Sequence, residues 1–154
     1  MRFLSDASWG EQHFQALVPG ASWAGGEHCH HIPYDFICKN LRLEIKSGHR
    51  QGWVTGPFDR FYFRYDWKIS KPQLKAADRI ILIGRLVNDS CIYEYVYYDI
   101  PMSVVRSEIG RSFRIIKLEG HPHWIDNFQV TSAELITRYT KTDVSVSLTR
   151  RGPP

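Results

Sequence analysis

Asp35, Glu44 and Lys46 are the residues whose types and spacing suit chemistry, in Pro33-Tyr34-Asp35 and Leu43-Glu44-Ile45-Lys46. Residues 32–38 and 41–47 read as two short strands. Lys39-Asn40 between them suits a tight hairpin turn, although the favoured glycine is absent. Strand side chains alternate, so Leu41, Leu43 and Ile45 point one way and Arg42, Glu44 and Lys46 the other. Hairpin pairing brings the Asp35 carboxylate to the same end of the sheet as Glu44. Two carboxylates and a lysine suit phosphodiester hydrolysis. Mg²⁺ binds through one or two carboxylates and keeps several waters. It polarises a phosphate and lowers the pKa of an attacking water. A lysine ammonium alongside orients that water and stabilises charge on the phosphoryl oxygens. Taken singly, each of these residues is also what a solvated strand face carries. The order around them adds weight: helix, Gly-rich loop, Pro-x-Asp, strand, turn, and a strand ending in Glu-x-Lys.

On Pro33, Asp35, Glu44 and Lys46 the sequence resembles the PD-(D/E)xK nuclease superfamily, the restriction-endonuclease-like fold, over about residues 8–86. Tyr34 departs from the literal Pro-Asp pair. The resemblance implies a core of helix, active-site hairpin, helix and further strand. It implies Mg²⁺, with Mn²⁺ able to substitute, held by Asp35, Glu44 and the Ile45 carbonyl, and Lys46 as the catalytic lysine. The family often adds a glutamate from the first helix, and Glu11 is the match here. Glu11 falls among Ala7, Phe14 and Val18 on an apolar stripe. A charge there needs a partner or a function; the plainer reading is a first-turn Glu favoured by the helix dipole. Glu27 is a weaker rival. Asp78, before an apolar strand, reads as structural, and Gln73 as a polar group behind the site.

The elements that position these residues follow from pattern. Residues 6–18 read as a helix capped by Asp6 or Ser8 and ended by Pro19-Gly20. Gly48 to Pro57 reads as a loop, placing His49, Arg50 and Gln51 beside the catalytic strand to touch DNA. Residues 60–68 alternate, with Phe61, Phe63, Tyr65 and Trp67 on one face. Arg60 and Arg64 lie on the opposite, basic face and join the candidate nucleic-acid contacts. Ser70-Lys71-Pro72 opens a short helix. Residues 79–86 read as a buried strand, and 91–98 as another. A short helix over 101–109 and a strand over 112–118 follow. Thr131-Ser132-Ala133-Glu134 has capping-box spacing for a helix over 132–139, and 141–154 reads as a flexible basic tail. This order predicts an α/β or α+β domain spanning 1–154, with a central mixed β-sheet flanked by helices.

Composition narrows the classes. At 154 residues, 43% hydrophobic and 23% charged, the chain reads as one folded domain. Its net charge of +4 permits a polyanionic partner without demanding one. Three cysteines form no disulfide framework, so a cytoplasmic setting is expected. The N-terminus lacks a secretory h-region, and Ile80-Ile81-Leu82-Ile83 is far short of the ~20 residues of a membrane helix. His28-Cys29-His30-His31 invites a zinc reading, but no closely spaced Cys pair accompanies it; these histidines read better as lining the loop over the site. There is no Walker A or G-x-G-x-x-G sequence, so no nucleotide cofactor is expected. The expectation is a Mg²⁺-dependent DNA endonuclease of restriction, homing, junction-resolving or defence type. One site per chain makes a homodimer the expected form for cutting duplex. The alternative is a non-catalytic nucleic-acid-binding or assembly protein of the same fold.

Overall fold

The computed structural model describes residues 9–23, 34–55 and 60–140. The expected helix caps Asp6 and Ser8, together with Ala7, Glu27, the His28–His31 cluster, Pro33 and the 141–154 tail, lie outside the described residues. The elements run α1 (Trp9–Leu17), β1 (Ser22–Trp23), β2 (Phe36–Cys38), β3 (Leu41–His49), β4 (Gln51–Thr55) and β5 (Arg60–Lys68). Then come α2 (Lys71–Ala76), β6 (Arg79–Val87), β7 (Tyr93–Pro101), α3 (Met102–Glu108) and β8 (Arg114–Leu118). A 3₁₀ turn (Trp124–Phe128), β9 (Gln129–Val130) and α4 (Ser132–Tyr139) complete the order.

The fold is mixed α+β. A six-stranded sheet has the order β1-β2-β3-β6-β7-β9, and a three-stranded sheet the order β4-β5-β8. β3 and β6 pair in parallel, whereas β2–β3 and β6–β7 are antiparallel, so the central sheet is mixed. β6 is central and reads as a continuous apolar run because both of its faces are covered. Ile81 and Ile83 join Phe14, Val18, Leu43, Ile45, Leu135 and Tyr139 in a core under α1 and α4. Ile80 and Leu82 join Trp67, Leu74, Ile100, Met102, Val105 and Ile115 in a second core under α2, α3 and the small sheet.

The small sheet docks closely because of Gly84. A Cβ at Gly84 would lie 2.7 Å from both the Tyr65 ring and Val96. Tyr65 and Trp67 stack at 5.4 Å and fill that space.

Two expectations are corrected. Gly48 to Pro57 is not a loop: β3 continues to His49, β4 spans Gln51–Thr55, and only Arg50 separates them. Gly48 and Gly52 face large aromatic rings, so they serve close packing, which the sequence shows no differently from turn glycines. The four aromatics of β5 also do not share one environment. Tyr65 and Trp67 are buried, whereas Phe61 and Phe63 are exposed, because the first half of β5 pairs only with β4 and projects away from the cores.

Candidate active site

The β2–β3 hairpin turns on Lys39 and Asn40, both in the left-handed region at φ 49° and 66°. That is the two-residue hairpin geometry, formed without glycine. Register is pinned by Leu43 and Ile45, buried against α1, each contributing about 1.5–3 kcal/mol of side-chain burial. A one-residue slip would bury Glu44 and Lys46 there instead. In the observed register Glu44 and Lys46 project to the α2 side, with Lys46 Nζ 3.6 Å from Glu44 Oε1.

Asp35 lies one residue before β2, not within a strand as the 32–38 reading placed it. Its amide donates to the Leu43 carbonyl at 2.8 Å, one step beyond the β2–β3 ladder. Its carboxylate then turns back onto β3 and accepts the Ile45 amide at 2.8 Å. The N–H and C=O of one strand residue point to the same edge. The Ile45 carbonyl therefore faces the edge that Asp35 occupies.

Glu11 enters from the first turn of α1 and hydrogen-bonds the Asp35 carboxyl. Gly10 allows this approach. A Cβ there would lie 2.5 Å from the Ser47 Cβ, so α1 rests directly on β3. The sequence carries no sign of this requirement, which arises from a residue across the interface.

Gln73 completes the cluster from α2. Its Oε1 accepts the Ser70 amide at 2.9 Å, while Ser70 Oγ accepts the Gln73 amide at 3.3 Å. This reciprocal cap fixes the side chain. The free Nε2 donates to Glu44 Oε1 at 2.9 Å.

Glu11, Asp35, Glu44, Lys46 and Gln73 thus meet at one place. The electrostatics follow from burial. Glu44 is 3% exposed. Burial first, and then the neighbouring Asp35 charge, push its carboxyl up to about 9. Burial also raises Asp35, opposed by the hydrogen bonds from Ile45, Glu11 and Glu44. The cluster holds more negative charge than Lys46 balances, so it binds a proton or a cation. No three His, Cys, Asp or Glu side chains among the described residues stand preset around one point. Mg²⁺ needs only one or two protein carboxylates besides its waters, so Asp35, Glu44 and the Ile45 carbonyl fit it as a donor set.

The nucleic-acid candidates line the path from β3 into β5. His49 Nε2 lies 3.1 Å from Arg85 Nη2, and its ring is 5.4 Å from Trp9. Arg50 is paired with Glu119 at 2.9 Å and lies 3.6 Å over the Phe63 ring. Arg64 lies 3.8 Å over the Trp53 ring. Gln51 and Arg60 are exposed. Asp78 is structural, as expected: both of its oxygens bind Arg42, at 2.8–3.1 Å. No helix among the described residues is long and apolar enough to cross a membrane. No protein-family model, curated protein or solved structure matches the chain.

Proposed function

We propose that this chain is a metal-dependent endonuclease hydrolysing DNA phosphodiester bonds on a restriction-endonuclease-like core. The observation that carries the reading is the convergence of Glu11, Asp35, Glu44, Lys46 and Gln73 on one hairpin end. The element order supports it: helix α1, hairpin β2–β3, helix α2, then β6 parallel to β3. Charge surplus and burial together make sense where a cation is to be held. They serve no evident structural purpose, since an apolar pair would pack there at lower cost.

Asp35, Glu44 and the Ile45 carbonyl would hold Mg²⁺ or Mn²⁺. Bound there, the ion would supply Lewis acidity toward the scissile phosphate and a lowered pKa for bound water. The chain's own groups do the rest. Gln73 holds Glu44 through Oε1, and the Ile45 amide holds Asp35, so both carboxylates keep their orientation without the ion. Glu11 adds a third carboxyl that takes or returns a proton beside Asp35. Lys46, half-buried next to Glu44, places a positive charge where a phosphoryl oxygen would develop negative charge. Duplex cleavage by one site per chain calls for a homodimer, and the odd cysteine count favours a cytoplasmic setting.

The test is cleavage of supercoiled plasmid and of a four-way DNA junction, with Mg²⁺ or EDTA, by wild type and Lys46→Ala. Cutting should need Mg²⁺ and fall at least about 100-fold in the variant. Cutting in EDTA, or by Lys46→Ala at the wild-type rate, would overturn the assignment. Binding of both DNAs without cutting by the wild type would favour the non-catalytic reading.

A further inference from the structure

The β4–β5 hairpin carries exposed aromatics on both faces. The register opposes Trp53 to Tyr62 and Val54 to Phe61. Trp53 and Arg64 therefore share one face, and Val54, Phe61 and Phe63 the other. Phe61 and Val54 are each 57% exposed, Trp53 42% and Phe63 37%. Phe61 lies over the neighbouring strand: a Cβ on Gly52 would come within 2.8 Å of its ring. One side of the Phe61 ring is thus backed by the sheet while much of the side chain meets solvent. Phe61 and Phe63 meet edge to face at 4.9 Å. Guanidinium planes cap the remaining rings, Arg50 on Phe63 and Arg64 on Trp53.

The same sheet is strongly cationic. Strands β4, β5 and β8 carry Arg60, Arg64, Lys68 and Arg114 on the Trp53 face and Lys117, which is paired with Asp126, on the Phe61 face, against Asp66 alone. That excess of four equals the net charge of the whole chain. A second copy of the Trp53 face would meet it with like charge, so self-association through that face is disfavoured. A polyanion with flat apolar faces is complementary. Paired DNA offers phosphates, but its base faces are covered by stacking. Unpaired nucleotides offer both, and aromatic and guanidinium planes are what unpaired bases stack on.

We infer that the β4–β5 arm binds unpaired nucleotides, stacking bases on Phe61, Phe63 and Trp53 while the arginines follow the backbone. This rests on the nuclease reading, whose substrate class it narrows to DNA with single-stranded or branched character. The arm follows β3 after a single residue, so a strand held on it leads toward Glu44 and Lys46.

The experiment is fluorescence anisotropy in EDTA, where nothing is cut. The probes are a labelled single strand, a blunt duplex of the same sequence, and an abasic strand of equal length. The full chain should bind the single strand about tenfold more tightly than either other probe, the size expected from one or two stacked bases. The double variant Phe61→Ala/Phe63→Ala should bind the single strand only as tightly as wild type binds the abasic strand. Gly52→Val, which keeps every aromatic but displaces the Phe61 ring, should lose part of the preference. Equal wild-type affinity for all three probes, or no binding to any, would overturn the inference, and neither result depends on a variant folding. A dimer in size-exclusion chromatography that the double variant abolishes would assign the face to a second copy and overturn it as well. Because binding is read without metal, base-dependent binding by a chain that never cuts would sink the nuclease reading alone. Metal-dependent cutting with no base preference would sink only the arm.

Discussion

Asp35 Oδ2 accepts the Ile45 backbone amide at 2.8 Å, which clamps the residue ahead of β2 to the middle of β3. The ladder itself ends at Phe36–Leu43, so this side-chain bond extends the hairpin by its own chemistry. Asp35→Asn keeps an acceptor for that amide but removes the charge. It should fold with little change in melting temperature and lose heat of Mg²⁺ binding in calorimetry. Asp35→Ala leaves the amide unpaired and should cost about 1–3 kcal/mol in urea unfolding as well.

Glu44 gives the chain a pH signature. Its carboxyl ordinarily titrates at 4.5 and stands at about 9 when folded. Between these values the folded state keeps a proton that the unfolded state releases, so stability falls as pH rises through that window. Metal-free protein should therefore melt at progressively lower temperature from pH 5 to 9. Glu44→Gln should flatten that dependence, and Mg²⁺ should stabilise the wild type more at the alkaline end. Parallel melting curves for wild type and Glu44→Gln would refute the assignment.

Gln73 is a positioning residue, held by the Ser70 cap and holding Glu44. Gln73→Ala should raise the Mg²⁺ concentration needed for half-maximal cleavage severalfold while the rate at saturating Mg²⁺ changes less. Gln73→Glu places a further carboxylate against Glu44 and should weaken Mg²⁺-free stability more at high pH than at low pH. A purely structural role would lower the melting temperature of Gln73→Ala and leave its Mg²⁺ requirement unchanged.

Asp99 anchors the far side of the sheet. Its buried carboxylate takes Arg79 at 2.8 Å, Arg138 at 2.6 Å and the Tyr139 hydroxyl at 2.6 Å. Asp99→Ala would leave two guanidinia and a hydroxyl without their acceptor. Loss of about 3 kcal/mol in urea unfolding is expected, the low end for a broken buried pair because both arginines reach solvent. Below the unfolding transition, Mg²⁺ binding should be unchanged, because Asp99 sits on β7 and β6 separates it from β3, which carries Glu44.

Local signals made much of this legible in sequence. Thr131 and Glu134 form the reciprocal cap their spacing implies, at the start of α4. The run Ile80 to Ile83 is apolar at every position because β6 is covered on both faces. Glu44 and Lys46 fall on one face because strand parity depends only on the hairpin register. What stayed hidden depends on contacts between distant segments. Gln73 reads in sequence as a polar group behind the site, but its bond to Glu44 shows only once α2 is set against β3. Asp99, between tyrosines and an isoleucine, is marked only by being charged in an apolar strand. Phe61 and Phe63 share their alternation with Tyr65 and Trp67, and nothing in that pattern says where the covering layer stops.

The passage from β3 to β4 through the single residue Arg50 makes the chain a ruler. Gly52, opposite Phe63, lies six residues beyond Lys46, at most ~20 Å of extended backbone. A gauge made of strand, unlike one made of loop, has one length. A branch point held at Phe63 would be cut at a constant offset, whatever its sequence. Lengthening the path by two residues after His49 would shift the product ends together instead of scattering them.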